Sequence, residues 1–169
     1  LFKYTDRDVD RIKKSIGIPK DKKVILYAPT FRDNQHTSGV GYTYNLGIDF
    51  DKLKFAIDEN YVILFRTHYF VANSIDLSKY EGFIYDVSKY DDIDELYLIS
   101  DLLITDYSSV FFDYANLHRP MLFYMYDLDD YKNNLRHFYI SLDELPGPIA
   151  TTQEELENNL VNIDKLENE

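Results

Sequence analysis

The sequence predicts an α/β fold, a doubly wound parallel sheet with helices on both faces. Three observations carry this. Short continuous apolar runs, Val24–Tyr27, Tyr61–Phe65, Leu102–Ile104 and Met121–Tyr124, read as strands buried on both faces. Stretches with helical spacing alternate with them, as βαβ units require. The run Asp101–Tyr126, DLLITDYSSVFFDYANLHRPMLFYMY, holds one complete unit of strand, hydroxyl-bearing turn, helix and strand.

Taken in order, Asp6–Ser15 carries alternating charge with Val9, Ile12 and Ile16 at helical spacing, and Gly17 and Pro19 stop it. Val24–Tyr27 is a strand that ends at Ala28-Pro29-Thr30. The polar stretch from Phe31 to Gly47 is a long loop, a kind that is usually functional. Phe50–Asp58 has helical spacing, Tyr61–Phe65 is the next strand, and Phe83–Tyr85 is a short strand candidate. Ile93–Ile99 reads as a helix leading into Leu102–Ile104, Ser108–Leu117 as a helix leading into Met121–Tyr124, and Leu128–Asn133 as a short helix. Pro146-Gly147-Pro148 is a breaker, and Thr152–Leu166 closes with a helix whose Thr152 and Glu155 form a capping-box pattern.

With 169 residues, 45% hydrophobic and 16% aromatic, the chain is a single domain with a real core. It opens at Leu1 in mid-pattern, which points to a piece cut from something longer. The absence of cysteine excludes disulfides and thiolate metal sites. A net charge of −12 repels nucleic acid and anionic lipid, so neither is expected as a direct partner. An anionic small ligand then needs basic groups gathered locally, and Arg32, Arg66, His68, Arg119 and Arg136 are the candidates. No His, Asp and Glu arrangement resembles a metal site, and neither a glycine-rich phosphate fingerprint nor a nucleophile elbow is present.

Right-handed crossovers place the loops that follow the strands on one edge of the sheet. Thr30 and Arg32, Arg66 and His68, and Ser108 and Ser109 all follow strands and are expected to converge there. Ser108 and Ser109 at a helix amino end suit phosphate, because unpaired N–H groups and partial positive charge meet there. A capping role is the plain alternative for each serine, and Asp106 reads as a loop-fixing side chain. Asp113, further along the helix, is within reach of a nucleotide's sugar, or else a solvated helix charge. Arg32 supplies a guanidinium fork unless one of the many carboxylates takes it. His68, two residues past Arg66, is placed to donate to a leaving group.

APTFRD, LFRTH, ISDLLITDYSSVFFDYANLHRPMLFY and ELPGPI together resemble the CDP-glycerol glycerophosphotransferase family, from Lys23 to Leu156. Members polymerise or prime teichoic acids in Gram-positive bacteria. The resemblance implies a Rossmann-like domain, the nucleotide-binding half of a GT-B-type transferase of two domains. It implies that Ser108 and Ser109 meet the diphosphate and that Asp113 takes the ribose. It further implies that His68 is the catalytic residue, acting through the donor phosphates, and that Thr30 and Arg32 complete the phosphate site. Arg66 and Arg136 are further substrate-binding candidates, and the base lies near Tyr85–Ile93. Two departures stand out. The family's second histidine, in a WHGTP-like segment of the other domain and the implied catalytic base, has no counterpart here. RGFY of the family is replaced by Arg136-His137-Phe138-Tyr139.

The implied reaction moves glycerol phosphate from CDP-glycerol to a lipid-linked acceptor and releases CMP, with no cofactor and no metal. The isolated domain is then expected to bind donor without turnover. The parent is expected peripherally at the cytoplasmic face of the cell membrane, attached through other parts, and a homo-oligomer is compatible with the sequence. Rival readings are a ribitol-phosphate transferase, a nucleotide-sugar glycosyltransferase or epimerase of the same fold, and a non-catalytic module for a phosphorylated ligand.

Overall fold

A computed structural model of the chain describes residues 3–30, 36–37, 41–42, 47–67, 75–129 and 141–162. Six strands form one sheet: β1 (Lys23–Ala28), β4 (Tyr61–Phe65), β5 (Ile84–Asp86), β6 (Leu102–Thr105), β7 (Met121–Tyr124) and β8 (Ile149–Ala150). Their order is β5-β4-β1-β6-β7-β8 and every pairing is parallel. This is the doubly wound arrangement, in which the chain builds outward from β1 in one direction and then from β6 in the other. Register is set at the centre by Leu26 opposite Leu64 on one side and Leu103 on the other.

Both faces of the sheet are covered, which explains the continuous apolar runs. On one face, Ile25, Tyr27, Ile63, Phe65, Leu102, Ile104, Leu122 and Tyr124 pack beneath α2 (Phe50–Ala56) and α5 (Gln153–Val161). On the other, Val24, Leu26, Val62, Leu64, Leu103 and Phe123 pack beneath α1 (Asp6–Ile16), α3 (Ile93–Ile99) and α4 (Val110–Tyr114). Alternate residues of each strand therefore belong to different cores. A truncation such as Leu64→Ala, at a side chain with no exposure, costs about 2–5 kcal/mol.

Several helix ends are closed by specific residues. Asp8 Oδ2 accepts from the N–H and the hydroxyl of Thr5 at 2.8 Å each, and Gly17 ends α1 at φ 87°, where only glycine is unstrained. Asp49 Oδ1 takes the N–H groups of Asp51 and Lys52 at the start of α2. The capping box expected at Thr152 and Glu155 is present, and α5 runs from Gln153 to Val161. Residues 163–166, which the sequence assigns to that helix, lie outside the described residues.

Several elements differ from expectation. The helix read over Ser108–Leu117 is α-helical only from Val110 to Tyr114 and tightens into a 3₁₀ turn at Ala115–Leu117. His118, at φ 52°, turns the chain out of it. The loop from Phe31 to Gly47 contains a short antiparallel pair, β2 (His36–Thr37) and β3 (Gly41–Tyr42). The Pro146-Gly147-Pro148 breaker leads straight into β8, which pairs Ile149 with Phe123. Of the helix expected over Leu128–Asn133, Leu128 and Asp129 are helical and 130–133 lie outside the described residues.

Candidate functional site

The connection leaving β1 goes to α2 on one face, while the one leaving β6 goes to α4 on the opposite face. Two neighbouring strands whose exits part in this way open a crevice at their carboxyl ends, the place where doubly wound sheets bind ligands. Thr105 anchors its floor, its hydroxyl donating to the Ala28 carbonyl at 2.8 Å.

Above that floor the two loops are joined by one carboxylate. Asp106, only 2% exposed, accepts at Oδ1 from the Thr30 N–H (2.8 Å), the Thr30 hydroxyl (2.6 Å) and the Tyr107 N–H (2.6 Å). Asp106 is thus the loop-fixing side chain the turn implied. Both donors of Thr30 are directed at this carboxylate. Tyr107 in turn donates its hydroxyl to Asp127 Oδ1 at 3.1 Å, tying the turn to the loop after β7.

Ser108 and Ser109 follow directly, and their situation is the reverse of Thr30's. Ser109 makes no side-chain cap bond, and Ser108 Oγ only accepts, from the Val110 N–H at 3.5 Å. Among the described residues neither hydroxyl donates a hydrogen bond, so both protons are available to an anion. Asp113 is exposed in the first turn of α4. Burial raises the Tyr97 phenol above the ordinary tyrosine range, and the Asp113 charge adds to that rise.

At the end of β4, Arg66 is half-buried and donates from Nη1 to the carbonyls of Val87 (3.0 Å) and Tyr90 (2.7 Å). Burial lowers its pKa from the ordinary value. Its Nη2 and Nε make no hydrogen bond among the described residues. Thr67, next in the chain, is 6% exposed; its N–H donates to Ser88 Oγ at 3.1 Å while its own hydroxyl has no partner among the described residues. Sequence reasoning did not single out Thr67, Tyr107 or Asp127, because a hydroxyl's partners across loops leave no local pattern.

Thr30, Asp106, Ser108 and Ser109 thus gather at the crevice, as the order of strands and loops implied. Arg32, His68 and Arg136 lie outside the described residues. Arg119 stands at the other edge of the sheet, before β7. It donates from Nη1 to the Tyr97, Leu98 and Ser100 carbonyls and so caps the end of α3, which removes it as a ligand group. A cavity of about 530 Å³ on that same far edge, between the ends of α2 and α5, is lined by Lys23, Phe55, Asp58, Tyr61 and Val161 and holds none of the predicted site residues. Among the described residues no group of three His, Asp or Glu side chains is arranged to hold a metal ion.

The family model described as CDP-Glycerol:Poly(glycerophosphate) glycerophosphotransferase matches residues 1–169. The chain belongs to this family. It is 50% identical over 160 residues to a teichoic acid poly(glycerol phosphate) polymerase of Staphylococcus epidermidis, covering 94% of this chain and 22% of that protein. A teichoic acid poly(ribitol-phosphate) polymerase of Bacillus spizizenii is 46% identical over 148 residues, covering 87% of this chain and 24% of its own length. The structure of the wall teichoic acid polymerase TagF superposes with a TM-score of 0.87 at 50% identity, over 96% of this chain and 40% of that one. A variant of TagF soaked with CDPG matches at a TM-score of 0.83 and 48% identity. The family member described here therefore spans from about a fifth to two fifths of the relatives it matches.

Proposed function

We propose that this chain is the donor-binding domain of a two-domain glycerophosphotransferase that moves glycerol phosphate from CDP-glycerol to a lipid-linked teichoic acid acceptor. The observation that carries the reading is the crevice between β1 and β6, where the uncommitted hydroxyls of Ser108 and Ser109 stand beside the fixed turn of Asp106. The diphosphate rests on Ser108 and Ser109, with Arg32 and His68 supplying positive charge. Arg66 contributes through Nη2 or Nε, and Arg136 is a further substrate-binding residue. Asp113 meets the ribose, and the cytosine lies against the Val87–Tyr90 loop that Arg66 holds.

In the reaction, an acceptor hydroxyl attacks the phosphorus bearing glycerol, a new P–O bond forms, and the bond to the bridging oxygen breaks. The electron pair leaves with CMP, and His68 and Arg32 stabilise the charge that grows on that oxygen. The base that takes the acceptor's proton belongs to the other domain, so this chain binds donor without turning it over. Attachment at the cytoplasmic face of the membrane belongs to the rest of the parent. Among the described residues no helix is long and apolar enough to cross a membrane.

Glycerol is favoured over ribitol by the higher identity to the glycerol-phosphate polymerase, 50% against 46%. Titration calorimetry of the chain with CDP-glycerol tests the proposal. Binding is expected, with CDP competing and UDP and GDP competing more weakly, and with CDP-ribitol weaker than CDP-glycerol. A folded chain that gives no heat at millimolar CDP-glycerol would refute it.

A further inference from the structure

We infer that Asp106 and Tyr107 are positioning residues for donor binding, which together fix the turn that presents Ser108 and Ser109 between the loops leaving β1 and β7. The inference rests on the donor-binding reading above and adds residues to it.

A buried carboxylate at the floor of an anion site is electrostatically adverse, because its charge repels the phosphates the site must hold. Asp106 is such a group, at 2% exposure and immediately before Tyr107 and the two serines. The role that offsets this is mechanical. One oxygen, Oδ1, gathers the N–H and hydroxyl of Thr30 from one side and the N–H of Tyr107 from the other. The loop after β1 and the turn after β6 leave toward opposite faces of the sheet. The carboxylate ties them together just beyond the last ladder pair of β1 and β6, Ala28 with Thr105. Three donors converge on one acceptor, and a charged acceptor holds them more tightly than a neutral one.

Tyr107 extends the same belt in the other direction, through its hydroxyl on Asp127. The chain of contacts Thr30, Asp106, Tyr107, Asp127 thus crosses the carboxyl ends of β1, β6 and β7 in sequence. Ser108 and Ser109 are the next residues along, and their hydroxyl protons are not used in the belt. Thr30, with both donors on Asp106, serves the site as a strut and leaves phosphate contact to the serines. A preorganised pair of donors binds more tightly than a mobile pair because less ordering remains to be done.

The test is titration of the 169-residue chain with CDP-glycerol at a temperature well below the melting midpoint of each variant. Asp106→Ala is expected to weaken binding by roughly tenfold, the scale set by losing a buried hydrogen-bonded acceptor. Asp106→Asn keeps an oxygen at the Oδ1 position and loses the charge, so it holds the donors less tightly but should still bind within a fewfold of the unmodified chain and clearly better than Asp106→Ala. Tyr107→Phe, which deletes the bond to Asp127, should weaken binding a fewfold with little change in melting and keeps the test open if Asp106→Ala does not fold. A merely structural role for the pair would lower the melting midpoint and leave affinity intact, and that result overturns the inference. Asp106→Asn as weak as Asp106→Ala also overturns it. If the unmodified chain itself fails to bind CDP-glycerol, the donor-binding reading falls and takes the inference with it.

Discussion

Arg66 donates from Nη1 to the carbonyl of Tyr90 at 2.7 Å, bridging the end of β4 to the loop between β5 and α3. The same nitrogen reaches the Val87 carbonyl at 3.0 Å, so one guanidinium edge holds both ends of a short turn. Arg66 is therefore structural at Nη1, while its Nη2 and Nε make no hydrogen bond among the described residues.

Arg66→Ala leaves two part-buried carbonyls without their charged donor. Hydrogen bonds to charged groups contribute about 1.5–3 kcal/mol each net, and the two share one donor nitrogen, so a loss of about 2–3 kcal/mol is expected. Urea unfolding followed by circular dichroism measures it. Arg66→Lys should recover only part of the loss, because a single ammonium replaces a planar fork.

Thr67 offers the opposite case. Its hydroxyl is buried with no partner among the described residues, a cost of about 1–3 kcal/mol that the folded chain carries. Thr67→Val replaces the hydroxyl by a methyl of the same shape. The unfolding midpoint should stay or rise, by up to about 1 kcal/mol in stability, since the new methyl must still fit. A clear fall in the midpoint would mean the hydroxyl has a partner.

Gly47 closes the long loop after β1 onto the end of β7. It sits at φ 61°, its carbonyl accepts from the Tyr124 hydroxyl, and a Cβ there would lie 2.5 Å from the Tyr126 ring. Gly47→Ala therefore meets both left-handed strain, of order 1–3 kcal/mol, and a collision that moves Tyr126. Denaturant unfolding should show a loss at the upper end of that range or beyond.

The sheet was legible because β1, β4, β6 and β7 are buried on both sides and so had to be continuous apolar runs. β8 has two residues behind a Pro-Gly-Pro breaker, too few for any pattern, and it exists because the β7 edge supplies its partners. Convergence of Thr30 with Ser108 and Ser109 followed from chain order and crossover handedness alone. The carbonyl partners of Arg66 and Arg119 were hidden, because backbone acceptors look the same under every residue type. Nothing local reveals that Thr30 directs both its donors at a carboxylate distant in the chain.

Tyrosines dominate the behaviour in base. Burial pushes Tyr124 up to about 12 from its ordinary 10, and raises Tyr97 and Tyr114 as well. A phenol whose folded pKa is raised stabilises the fold fully below its unfolded value and ceases to do so as pH climbs through the folded one. Stability should thus hold up to about pH 10 and fall between there and about pH 12. Tyrosinate absorbance and circular dichroism recorded together should show the late-titrating phenols ionising as the fold is lost.

The most direct measurement is a crystal structure of the chain with cytidine diphosphate. The diphosphate is expected in the crevice between β1 and β6, its oxygens on the hydroxyls of Ser108 and Ser109, with Asp106 still bound to Thr30 beneath it. A nucleotide bound at another edge of the sheet, or phosphates clear of both serines, would contradict it.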